Sequence, residues 1–358
     1  MKYSRFRSAV FLQFMGTVGS GIFVLPFLFS QSNFIFASIF LIFLTVITGF
    51  LNHFYVEIVS ATEGDHQLSG YAQIYLGGKF KLVTSLNLML LAFGAIIAYS
   101  KLFTNFTALL FPSLSVFTIS GIFLFSVFLL FFFRQNLSRN VFLFIPIFML
   151  FIPIFLFIYS LIPISEAGVL KLAAYPSFSF YGPLLFALSG FTIVPEVQET
   201  LGTNKKLSLV VFLGLFLAAI TYFLYSFSII KLSGQTLSID SVTGMALVHP
   251  VLSKIIAGFG MVVTLRASFG FMIILRELFY RDLKIPLSIS NYLPLLFPLA
   301  ALFLKSVSLL TIISLTGHIT IFISALIICL IRSKLPQTIT TQFFIILIII
   351  SLSLGLWF

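Results

Sequence analysis

Gly16-Thr17-Val18-Gly19-Ser20-Gly21 lies in the middle of an apolar stretch running from Phe11 to Phe29. Each of its glycines costs a helix about 1 kcal/mol relative to alanine, and backbone groups left unpaired in hydrocarbon cost several more. Such a stretch does not face lipid; interrupted backbone at membrane depth persists where protein encloses it or where it lines a cavity. A second apolar stretch near the middle of the chain is interrupted likewise at Ala187-Leu188-Ser189-Gly190, with Pro195 following. Paired interruptions of this kind mark a ligand site near the bilayer midplane. Gly16, Gly19 and Gly21 also fit a close-packing helix face, an alternative the sequence leaves open.

Hydrophobic residues make up 60% of the chain and charged ones 8%, against roughly 25% charged in soluble domains. The chain is therefore read as a polytopic membrane protein. At about 20 apolar residues per crossing, eleven spans are expected, at 8–30, 33–60, 82–110, 113–133, 140–163, 178–199, 207–231, 250–278, 287–304, 307–331 and 338–357. The ninth contains Asn291, Pro294 and Pro298 and is expected to kink or lie shallow. A net charge of +11 does not call for nucleic acid, because the basic residues sit in short loops. Counting alternate loops, fourteen, including Arg5, Arg134, Lys205, Lys206 and Arg281, fall on one side and five, including Lys171 and Lys305, on the other. The positive-inside rule then puts the N-terminus in the cytoplasm and, with an odd number of spans, Phe358 outside a cytoplasmic (inner) membrane. Met1–Gln31 starts like a signal peptide, but its apolar run is too long and lacks a small-residue exit, so it reads as a retained first helix. The lone Cys329 offers no disulfide.

The layout repeats. Broken span one corresponds to broken span six, and the polar connection 61–81 after span two corresponds to 232–249 after span seven. A shift of five spans inverts the copy, so residues 8–163 and 178–331 read as two five-helix repeats of opposite topology, with 338–357 appended.

Two motifs carry a resemblance. Gly16-Thr17-Val18-Gly19-Ser20-Gly21-Ile22-Phe23-Val24-Leu25-Pro26 resembles the first-helix motif of the amino acid-polyamine-organocation superfamily, closest to its hydroxy and aromatic amino acid permease branch, and Phe186-Ala187-Leu188-Ser189-Gly190-Phe191-Thr192-Ile193-Val194-Pro195-Glu196 is similar to that branch's sixth helix. Tyr55-Val56-Glu57 and Gly64-Asp65-His66-Gln67-Leu68 add weaker matches. The resemblance implies an all-α, LeuT-type 5+5 inverted repeat and secondary transport of an amino acid bound between spans one and six, flanked by three and eight. It assigns substrate contacts to Gly16, Thr17, Gly19, Ser20, Gly21, Phe186, Ala187, Leu188, Gly190, Phe191 and Tyr99. The Gly19–Gly21 amides would hold the carboxylate, carbonyls at Gly16, Ala187 and Leu188 the ammonium, Phe186 or Phe191 would form a lid, and Tyr99 would line the side-chain pocket. Where sodium-coupled relatives supply Ser/Thr oxygens, this chain has Arg266-Ala267-Ser268, a departure that argues against sodium coupling.

Elementary electrostatics agrees with a zwitterion, since the start of a half-helix presents free N–H groups and its opposite end carbonyls. Arg266 lies deep in span eight, where an arginine costs at least about 2.5–3.5 kcal/mol unless it faces an interior cavity or partner. It reads either as a fixed cation in place of sodium, bridging spans one and eight, or as half of a structural pair. Glu57, Glu196 and Glu199 are the acids near spans; Glu196, roughly 9 Å of helix beyond Gly190, is the first choice as Arg266's partner and as a proton carrier, with a helix-end acid as the alternative. His53 and Glu57 share a helix face at a rim, and His318 lies deep in span ten. No cofactor, metal site or hydrolytic motif is expected; a proton is the candidate coupling ion, and the expected partners are an amino acid and the bilayer, not nucleic acid. The sequence leaves oligomeric state open. The expectation is a sodium-independent transporter of neutral, hydrophobic or aromatic amino acids, working by proton symport or exchange and not an enzyme. An organocation or polyamine exchanger and a membrane-embedded enzyme or sensor remain as alternatives.

Overall fold

The computed structural model describes residues 2–133, 139–162, 177–302 and 307–353. Arg134, Lys171, Lys305 and Phe358, used in the charge count and the orientation, lie outside them. The described residues form helices joined by turns and loops, without a strand. The chain opens with α1 (Lys2–Thr17) and α2 (Gly21–Gln31), bent by 53° across the glycine stretch. Then come α3 (Phe34–Ala61), the short α4 (Leu68–Leu76), α5 (Gly78–Leu110), α6 (Val116–Phe132) and α7 (Arg139–Leu161). The second half begins with α8 (Tyr181–Ala187), a 3-10 turn at Gly190–Ile193 and α9 (Val194–Leu201), and continues through α10 (Leu207–Ser233) and α11 (Pro250–Glu277). The stretch 287–304 is not one helix. It divides into α12 (Leu287–Ser290), a 3-10 turn at Leu293–Leu295 and α13 (Leu296–Ala301), because Pro294 and Pro298 withhold the amides a continuous helix needs. Finally α14 (Leu309–Leu315) and α15 (Ile321–Arg332) are joined by a π-helical turn at Thr316–Thr320, and α16 (Ile339–Ser353) follows.

Local chemistry sets the ends. The Asn33 side chain accepts from the Ile35 and Phe36 amides at 3.0 and 3.2 Å and so caps α3, while Ser115 caps α6 through the Thr118 amide; each supplies a partner to a donor that the helix itself leaves free. Gly202, at φ 68°, ends α9 in the left-handed conformation that a side chain would resist. Among the described residues six helical stretches are long and apolar enough to cross a membrane, and the bent α1–α2 pair makes a seventh; the chain is a multi-pass membrane protein. Phe117, Ile339 and Val251 are among many large apolar side chains left open on the outside, as a lipid-facing surface requires.

Inside, α5 runs along α11. The helix α1 packs on α10, and α3 on α8 and α9; α7 packs on α10, and α15 on α3; α6 packs on α11, and α13 on α5. The short α4 lies on α5 much as the 3-10 turn Gly244–Leu247 lies on α11.

Candidate functional site

The two breaks meet. A methyl group at Gly21 would stand 2.4 Å from Ala187 Cβ, one at Gly190 2.2 Å from Thr17 Oγ1, and one at Gly16 2.5 Å from Ile193 Cγ2. These glycines therefore do what a small-residue face does, letting the α1–α2 pair and the α8–α9 segment touch, and they do so at the places where both helices lose their ladders.

The orphaned backbone groups can be followed one by one, as burial demands. At the end of α1, Phe14 O accepts from the Val18 amide at 2.9 Å. The Met15 carbonyl accepts from Nη1 of Arg266, on α11, and Thr17 O accepts from the Tyr222 hydroxyl, on α10, at 2.8 Å. That hydroxyl also lies 2.8 Å from Ala187 O at the end of α8. Tyr222 is thus the common cap of both breaks. In the second break Leu188 O accepts from the Gly190 amide at 2.8 Å across an inverse γ-turn at Ser189, Ser189 Oγ donates to Phe186 O at 2.6 Å, and Gly190 O accepts from Gln13 Nε2 at 2.8 Å. Arg266 sits where the partial negative charge of α1's C-terminal end is concentrated.

Beside the breaks is a cavity of about 20 Å³ lined by Gly16, Tyr99, Thr192, Ile193, Arg266, Ala267, Gly270, Phe271 and Ile274. It draws on α1, α5, the segment after α8, and α11. A water needs at least about 10–15 Å³ on such a measure, so the chamber has room for a water and none for an amino acid in this conformation. Tyr99 lies across it, its hydroxyl against Gly19 and its ring 6.2 Å from that of Phe271.

Several expected site residues stand elsewhere. Phe186 and Phe191 are buried but not in the cavity lining, where the aromatic wall is Phe271 with Tyr99. The Ala187 and Leu188 carbonyls, expected to face a ligand, are engaged by Tyr222 and the Gly190 amide. Ser268 Oγ donates to Thr264 O of its own helix at 2.8 Å, the usual retreat of a serine within a helix. Glu196 does not reach Arg266; its Oε1 accepts from Gln67 Nε2 at 2.7 Å, and its Oε2 is buried without a partner. Gln67 belongs to a latch that the sequence reading passed over: Asp282, buried past the end of α11, accepts from Ser69 Oγ at 2.6 Å, the Gly70 amide at 2.8 Å and the Gln67 amide at 3.2 Å. Arg281 joins Glu199 at 2.5 Å and Glu277 at 2.6 Å, and Arg332 joins Glu57 at 2.5 Å. His53, on the same face as Glu57, contacts Ser208 Oγ at 3.1 Å. The His318 ring stacks on Tyr181 at 6.1 Å, in the π-helical turn.

No protein-family model matches the chain, and no curated protein matches it. Solved structures do. A manganese transporter of Eremococcus coleocola aligns with 97% of this chain and 84% of its own at 13% identity and TM-score 0.67; the same transporter in complex with an aromatic bis-isothiourea substituted compound gives 98%, 85%, 13% and 0.64. A nucleobase-cation-symport-1 family transporter, closed with bromovinylhydantoin bound, aligns with 90% of this chain and 76% of its own at 12% identity and TM-score 0.62. At such identities the likeness speaks to architecture alone, and the architecture is the LeuT-type transporter fold.

Proposed function

We propose that the chain is a secondary active transporter that moves a neutral, hydrophobic or aromatic amino acid by alternating access, through proton symport or exchange and without sodium. The observation that carries this reading is the Arg266 guanidinium seated on the Met15 carbonyl at the meeting of two helix breaks. A bound cation there would neutralise the exposed end of α1; a built-in arginine does so permanently and does not titrate. The described cavity lining holds this cation and no acid, a setting that favours a carboxylate-bearing ligand and opposes polyamines or a divalent ion such as the cargo named for the manganese transporter. Tyr99, Phe271 and Ile274 suit an apolar or aromatic side chain. A chamber of about 20 Å³ is that of a closed state, so ligand enters only when the broken segments move. Glu196, whose Oε2 has no partner, is the carboxyl assigned to the coupling proton.

The 5+5 repeat finds support in packing: main contacts of one half have counterparts in the other under a shift of five spans, α1 on α10 with α8 and α9 on α3, and α7 on α10 with α15 on α3. Eleven spans, a cytoplasmic N-terminus and residence in the cytoplasmic membrane complete the reading; the end of the bundle that carries Arg5 also carries Lys205, Lys206, Arg281 and Arg332. The test is uptake and counterflow of a mixture of amino acids by proteoliposomes, with and without a pH gradient, in sodium-free buffer. Movement of neutral apolar amino acids is expected; if no amino acid moves under any condition, the reading fails.

A further inference from the structure

A second hollow, of about 500 Å³, opens at the end of the bundle that bears the N-terminus and is lined by Arg5, Phe6, Leu201, Thr203, Lys205 and Lys206 around Gly202. Three of these side chains are cations and none is an acid, and the nearest acids on α9 are engaged elsewhere, Glu196 with Gln67 and Glu199 with Arg281. The floor is apolar: Leu201 is buried and Phe6 half-buried. The turn that carries the lysines is fixed in place, because Asn204 accepts from Gln198 Nε2 at 2.7 Å and reaches Ser60 O at 3.4 Å, while the Lys205 amide donates to Thr203 Oγ1 at 3.2 Å. Gly202 lets the third cation approach: a Cβ there would stand 3.0 Å from Arg5 Nη1. The positive-inside bias explains cations on this end of the bundle. It does not explain three of them converging from two separate segments on one fixed hollow with an apolar floor.

We propose that this hollow binds a phosphate-bearing anion, either the headgroup of an anionic phospholipid or free phosphate. Arg5 from α1 and Lys205 and Lys206 from the α9–α10 turn surround the phosphate, and for a lipid the first acyl carbons lie along Phe6 and Leu201. Basic pockets between helices on the cytoplasmic side recognise such headgroups by the same chemistry. The site stands independently of the transport reading.

The test uses the full chain, purified in detergent and stripped of lipid, at low ionic strength, with phosphatidylglycerol, phosphatidylcholine and inorganic phosphate as separate probes, read by native mass spectrometry and thermal melting. Phosphatidylglycerol is expected to be retained and to stabilise the protein where phosphatidylcholine does not. The triple variant Arg5→Gln, Lys205→Gln, Lys206→Gln should weaken it by about 100-fold, roughly fivefold per cation. Lys79, Lys81 and Lys284 fall on the same side as Arg5 in the alternate-loop count and do not line the hollow; the triple variant Lys79→Gln, Lys81→Gln, Lys284→Gln removes the same charge and should retain binding. Protection by inorganic phosphate alone, lost in the first variant only, supports the site with the free anion as its occupant. Equal weakening in both variants, weakening in neither, or retention of no probe overturns the proposal.

Discussion

Replacing Tyr222 with phenylalanine removes one oxygen and tests whether the two breaks share a cap. In the native structure that buried hydroxyl reaches Thr17 O and Ala187 O, each at 2.8 Å. Without it, two helix-end carbonyls lose their donor. A buried polar group left unsatisfied costs about 1–3 kcal/mol, whereas side-chain hydrogen bonds between membrane helices average about 0.6 and reach about 1.7 kcal/mol. One hydroxyl proton serves both carbonyls, so the loss is below twice the upper figure, and about 1.5–3 kcal/mol is expected. At about 2–4 °C per kcal/mol for domains of 150–250 residues, and less for longer chains, the apparent melting temperature should fall by a few degrees. The control is three residues along the same helix. Tyr225 is equally buried, and its hydroxyl has no partner, so Tyr225→Phe removes an unpaired donor and should leave stability unchanged or raise it. Thermal unfolding of both variants in one detergent, followed by far-ultraviolet circular dichroism, decides the matter. Equal shifts, or a larger loss in Tyr225→Phe, would refute the assignment of Tyr222 as the cap.

Gly190→Ala would push a methyl group to 2.2 Å from Thr17 Oγ1 and 2.7 Å from Gln13 Nε2, an overpacking expected to cost about 1–3 kcal/mol; Gly258→Ala, with open space around it, should be neutral or stabilising by up to about 1 kcal/mol, and melting of the pair checks both. Glu196→Gln should flatten the pH dependence of uptake while substrate still exchanges, and an unaltered pH profile would remove Glu196 from proton coupling. Asp282→Asn takes charge-assisted acceptors from Ser69, Gly70 and Gln67, worth about 1.5–3 kcal/mol, and should speed hydrogen exchange of the amides at Gln67 and Gly70; unchanged exchange would mean that the latch is held by packing instead.

How much of this was legible in the sequence depends on the range of the cause. The breaks were readable because glycine acts on its own backbone, and the helices because apolar runs of the right length have few other uses. The partners that repair the breaks were not, since Gln13 lies 177 residues from Gly190, and Tyr222 is 205 and 35 residues from its two carbonyls. Gln13 did leave a trace, a polar side chain one turn before Thr17 in an apolar span. Phe271 left none, being one of 48 phenylalanines. The choice of Glu196 as partner to Arg266 followed charge complementarity, the one long-range signal visible in a sequence; the structure pairs the arginine with a neutral carbonyl and one oxygen of the glutamate with a neutral amide. The bend at Asn291–Pro298 was foreseen, but its division into short turns follows from where the prolines fall.

The most direct test of the central claim is uptake of a labelled neutral amino acid into sodium-free proteoliposomes containing the native chain or Arg266→Ala. The account predicts sodium-free uptake by the native chain, and in the variant either its loss or a new dependence on added sodium. A native chain that requires sodium, or an Arg266→Ala variant that transports as the native chain does, would contradict it.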